Sequence, residues 1–130
     1  MLDHVSITVS DLRQAERFYD AVMAALGVQK VGSTDSWIGY GQRCDSEHPD
    51  LSYLAIKPGP PPGPTHGRHW CFKSPDRAAV DAFWKAGIGA GGADDGLPGL
   101  RPQYHAHYYA AFLLDPDGNR VEAVCHRAEA

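Results

Sequence analysis

The feature that most limits what this 130-residue chain can fold into is that its second half restates its first. Counted from His4, an aspartate follows at +7 (Asp11) and an aromatic pair at +14 and +15 (Phe18, Tyr19). Counted from His69, the same offsets hold Asp76 and the pair Phe83-Trp84. One shared offset would be chance. A histidine, an aspartate and an aromatic pair in one frame mark an internal repeat.

Each copy opens as a strand followed by a helix. His4 to Val9 alternates polar and apolar residues, the period of a half-buried strand. Ser10 and Asp11 can cap the next helix, where Leu12, Ala15, Tyr19, Val22 and Leu26 form one apolar stripe that Gly27 stops. Weaker strands are expected over 28–31, 36–40 and 51–57. The segment 58–64 holds five prolines and cannot join a sheet, so it reads as a stiff connector. The second copy then gives a strand over 69–73, Ser74-Pro75 as a helix start, and a helix over 76–86 ending at Gly87. A short 89–93 segment, an irregular 94–107 loop and a hairpin over 108–126 complete it. The expected organisation is one domain, with modules at 1–57 and 67–126 joined by a Pro/Gly linker over 58–66.

The closing hairpin is signalled by Asp115-Pro116-Asp117-Gly118 between two apolar runs. Proline presets φ, aspartate bonds back to nearby amides, and glycine accepts φ > 0. In the returning strand Val121 and Ala123 turn toward the helix, which leaves Glu122 on the opposite face. Such a carboxylate is either solvated or holds a cation. The same alternation puts His4 and His69 on the helix-free face of their strands, with Tyr108 and Phe112 flanking Glu122. Aligning the closing strands of the two halves makes Tyr53 the equivalent in the first half of Glu122 in the second. Two imidazoles and a carboxylate on one concave face suit divalent iron, manganese, nickel, cobalt or zinc, with positions left open for substrate.

Other classes are disfavoured. A formal charge of -4 offers no phosphate-binding stripe, so no nucleic-acid partner is expected. No apolar run nears the length of a membrane span, and Met1 to His4 is not a signal sequence. Cys44, Cys71 and Cys125 are odd in number and lack CxxC spacing, which points to a reducing cytoplasm. Cys71 reads as a small buried hydrophobe, His48 and His126 as surface residues, and Phe18, Tyr19, Phe83 and Trp84 as core.

The His4–Leu26 start, its echo from His69 to Phe83 and the DPDGN-x-VE close resemble the vicinal oxygen chelate superfamily over nearly the whole chain. That superfamily includes glyoxalase I, extradiol dioxygenases, fosfomycin-resistance enzymes and bleomycin-resistance proteins. The resemblance implies an α+β fold of two tandem βαβββ modules in an incompletely closed eight-stranded barrel, within a homodimer. It also implies His4, His69 and Glu122 as metal ligands. Glyoxalase I has a further glutamate on the closing strand of its first module. Tyr53 in its place argues against that particular activity. Tyr53, Arg101, His105 and Tyr108 are the candidate catalytic residues, with Tyr104 and His107 sharing the loop and Arg101 suited to an anionic group. The expected function is a metal-dependent lyase, isomerase or dioxygenase acting on a small molecule with adjacent oxygens. The rivals are a metal-free binder of the bleomycin-resistance type and a metal-loaded but catalytically silent member.

Overall fold

The computed structural model describes residues 1–60, 63 and 67–129. Residues 61, 62 and 64–66 of the expected connector lie outside that set. The elements run β1 (His4–Val9), α1 (Leu12–Ala25), β2 (Lys30–Ser33), β3 (Ile38–Gly41) and β4 (Tyr53–Pro58). They repeat as β5 (His69–Lys73), α2 (Arg77–Gly89), β6 (Ala93–Leu100), β7 (Tyr109–Leu114) and β8 (Arg120–Cys125). Each βαβββ unit makes its own four-stranded sheet, in the orders β1-β4-β3-β2 and β5-β8-β7-β6. The first and last strands of each unit pair in parallel, and the rest pair antiparallel. The arrangement is α+β and is not closed into a barrel. No helix among the described residues is long and apolar enough to cross a membrane.

Helix α1 starts where Asp11 accepts from the amides of Arg13 and Gln14, at 3.1 and 3.0 Å. Helix α2 is capped by Asp76, which accepts from Ala79 N at 2.7 Å; Ser74-Pro75 precedes the cap and does not form it. Nor does α2 stop at Gly87. That glycine is buried where α2 meets α1 and β7, and a Cβ there would strike Leu113, with Val22 and Phe18 close behind. Its role is close approach between elements, which a C-terminal stop signal imitates in sequence. Phe18, Tyr19, Val22, Ile38, Ile56, Val80, Phe83, Leu113 and Val121 form one continuous core spanning both modules. Truncating one of its Ile, Leu or Phe members to alanine costs about 2–5 kcal/mol.

Strand β6 occupies much of what reads as a loop. It pairs with β7 through two register shifts, and Gly96, Pro98 and Gly99 sit at those irregularities. An edge strand tolerates proline and bulges, so the residues that erase the strand signal are accommodated there.

The closing turn also locks the modules together. Asp115, 3% exposed, accepts from Tyr19 Oη at 2.7 Å on α1, and from the amides of Asp117 and Asn119. Asn119 Nδ2 reaches Thr8 O of β1 at 3.1 Å, and Asp117 accepts from the amide and hydroxyl of Ser10.

Across the α1 surface, Glu16 receives Lys30 Nζ at 2.6 Å, Ser33 Oγ at 2.7 Å and Arg13 Nη1 at 2.6 Å. The Lys30 and Ser33 hydrogen bonds hold its carboxyl below the ordinary 4.5. A depressed carboxyl stabilises the fold above its unfolded value, and that contribution disappears as pH falls through the folded one. Glu16→Gln is therefore expected to cost less than about 1 kcal/mol at pH 7 and nothing near pH ~2, as read by urea unfolding at both. A cost that survives at low pH would show that packing, not charge, is the contribution.

Candidate functional site

The helix-free face of the second sheet forms a hollow of about 350 Å³ lined by His69, Asp95, Tyr104, Tyr108, Phe112, Arg120 and Glu122. Parallel pairing of β5 with β8 sets Cys71 opposite Glu122 and His69 opposite Arg120, while β7 places Phe112 directly across from Glu122. Glu122 is only 2% exposed. Burying a carboxylate is costly unless it is partnered. Here Tyr108 Oη donates to Oε2 at 2.6 Å, and His69 Nε2 lies 3.2 Å from Oε1.

These partners respond to the buried acid. Burial first, and then the hydrogen bond to Glu122, push the Tyr108 phenol well above its ordinary value, so it remains a donor. Cys71 is an exposed residue, unlike the expected buried one, yet its thiol is pushed up to about 12 by burial and then by the Glu122 charge. A thiol held protonated is a poor nucleophile.

Behind Tyr108, His105 Nδ1 accepts from His107 N at 3.0 Å, which assigns the ring proton to Nε2. His105 Nε2 then donates to His126 Nδ1 at 2.9 Å. The two imidazoles stack, and Tyr108 meets each of them edge-on. His105 thus backs Tyr108 from outside the hollow. His126 is exposed, as expected from sequence, and also joins this cluster from the position just after β8. Arg120 lies on the same face of β8 as Glu122, and its guanidinium pairs with Asp95 at 3.2 Å. Arg101 does not line the hollow: its fork donates to the Gly99 and Leu97 carbonyls at 2.8 and 2.7 Å, and it lies over Phe112. Bulged β6 leaves those carbonyls in need of donors, and Arg101 meets that need.

His4 is elsewhere. It lines a second hollow, of about 390 Å³, on the helix-free face of the first sheet, with Asp3, Trp37, Arg43, Cys44, Tyr53, Ala55 and Lys57 around it. His4 Nδ1 is 2.7 Å from Asp3 Oδ1. Tyr53 also stands here, and its buried hydroxyl has no partner among the described residues. Register corrects one expected correspondence. Ser6 pairs with Ala55 as Cys71 pairs with Glu122, whereas Tyr53 pairs with His4. Ala55, not Tyr53, therefore matches Glu122, and a methyl group cannot ligate.

The expected trio is thus divided between two hollows. Among the described residues no three His, Cys, Asp or Glu side chains gather as a cation site. The reason is the core: α1 and α2 pack on each other, so the faces they leave free do not meet within one chain. His69 and Glu122 nonetheless fit a metal as a pair. Ligand atoms about 2.1 Å from one ion lie roughly 3.0–3.4 Å apart, and these two donors are 3.2 Å apart.

Two tandem βαβββ units, each with a polar hollow on the sheet face its helix leaves bare, define a paired-module class of protein. Within that class the chain belongs to the Glyoxalase/Bleomycin resistance protein/Dioxygenase superfamily, whose family model matches residues 1–123. A crystal structure of a glyoxalase/bleomycin resistance protein from Albidiferax ferrireducens T118 is 31% identical, with a TM-score of 0.81 over 98% of this chain and 99% of that one. The fosfomycin resistance protein FosX from Mesorhizobium loti shares the fold at 18% identity, with a TM-score of 0.68 over 98% and 92%. A glyoxalase I mutant from Zea mays does so at 22% identity, with a TM-score of 0.64 over 95% of this chain and 46% of that one. Among curated proteins none matches.

Proposed function

We propose that this protein is a metal-dependent enzyme of the glyoxalase/dioxygenase type, a lyase, isomerase or dioxygenase for a small molecule with two adjacent oxygens. The observation that carries the reading is Glu122, a carboxylate buried on the helix-free face with an imidazole nitrogen 3.2 Å away. His69 and Glu122 hold the cation, and His4 of a second copy completes the set in a homodimer. Iron, manganese, nickel, cobalt or zinc suits these donors. When bound, the ion supplies a Lewis acid for the substrate oxygens.

The chain's own groups do the rest. Tyr108 fixes the rotamer of Glu122 and stays protonated through the neutral range, so it orients and does not accept a proton. His105 and His126 brace Tyr108 from behind. The Tyr53 hydroxyl is buried and unpartnered among the described residues, packed against Gly39, so Tyr53 presents its ring and not its oxygen to the first hollow. Phe112 supplies an apolar wall beside Glu122.

Metal analysis after purification without chelator, followed by reloading with each of the five ions, tests this. The wild type is expected to carry about one ion per chain, and His69→Ala to lose it with its unfolding midpoint little changed. A wild type that takes up none of the ions favours the metal-free binder and overturns the proposal.

A further inference from the structure

We propose that the first-module hollow is a carboxylate subsite in which Arg43 selects anionic, aromatic or conjugated substrates. This deepens the proposed function by naming a substrate class for the site to which that hollow contributes His4. The Arg43 guanidinium carbon lies 4.8 Å from the Tyr53 ring centroid and 5.4 Å from that of Trp37, whose rings meet edge-on at 6.3 Å. The rings themselves are seated on backbone. A Cβ at Gly39 would strike both Trp37 and the Tyr53 hydroxyl, and one at Gly32 would strike Trp37. Arg43 is thus an exposed side chain with a prearranged position.

What it lacks is an acceptor. Among the described residues neither Arg43 nor Lys57 has an ion-pair partner. Asp3, the acid in the same hollow, is occupied by His4 at 2.7 Å. In the other hollow the arginine is paired, Arg120 with Asp95. Two unmatched cations in one hollow of a chain with net charge -4 make a local positive site. The planar guanidinium fork matches the two coplanar oxygens of a carboxylate, and Trp37 and Tyr53 give an adjoining ring an aromatic surround.

The test uses the purified protein, without added metal, and follows the Trp37 indole N–H by NMR during titration. Benzoate is expected to bind with a Kd of roughly 10 mM or tighter. Benzamide, of the same shape without charge, is expected to bind about tenfold more weakly. Arg43→Met should weaken benzoate about tenfold, whereas Arg17→Met, which removes the same charge from the exposed face of α1, should not. Equal binding of benzoate and benzamide, no saturable benzoate shift, insensitivity to Arg43→Met, or a preference for phenylphosphonate would each overturn the carboxylate assignment. Metal content, measured on the same samples, reads the proposed function separately, so either reading can fail without the other.

Discussion

Asp115→Ala is expected to lower the stability of the fold by about 3–5 kcal/mol, the largest loss of any single polar substitution in the chain. The carboxylate is 3% exposed and accepts from Tyr19 Oη at 2.7 Å, Asp117 N at 2.9 Å, Asn119 N at 2.8 Å and Asn119 Nδ2 at 2.9 Å. Alanine leaves those donors buried without acceptors. The damage extends further, because Asn119 also donates to Thr8 O and its neighbour Asp117 holds Ser10, both in the first module. A domain typically has only about 5–15 kcal/mol to lose. Equilibrium urea unfolding should show a midpoint displaced far downward with an unchanged m-value. A loss under about 1 kcal/mol would mean that water replaces the carboxylate, and the turn would then be local ornament and not a lock.

The second large effect concerns metal uptake in mixed dimers. On the proposed assignment of His4, His69 and Glu122 as ligands in a homodimer, His4→Ala and Glu122→Gln are each expected to lose nearly all bound ion, since removing one of three ligands would remove most of the affinity. Co-expressed with separate tags and isolated as the heterodimer, the same two variants should recover about half the wild-type content. In that heterodimer one site collects both lesions and the other none, provided His4 comes from one copy and His69 with Glu122 from the other. The division of these residues between two hollows within the chain motivates the experiment. A heterodimer as metal-free as its parents would show that the ligands do not come together across copies.

Some of this was readable from residue order. The His4 and His69 frames define two strand–helix starts, and both appear; Asp11 caps the first as expected, whereas Asp76 and not Ser74 caps the second. The turn at Asp115 to Asn119 was legible because its chemistry is local. The face carrying Glu122, and its neighbours Phe112 and Tyr108, followed from period-2 alternation across a tight hairpin. Strand β6 was not legible. Gly96, Pro98 and Gly99 suppress local strand preference, and only pairing with β7 supplies the hydrogen bonds that hold such a segment extended. Arg101 was misread for a related reason: an arginine in a loop looks available until a bulge opposite it needs donors.

Residue order alone thus determined the two modules, their shared plan and the helix-free face on which His4, His69 and Glu122 stand, since these depend on contacts between near neighbours. Only the tertiary structure decided that Ala55 and not Tyr53 matches Glu122, and that His4 stands apart from His69 and Glu122. Register depends on long-range strand pairing. Which faces meet depends on α1 packing against α2 to bury one shared apolar core, a free energy spread over many side chains that no short motif records.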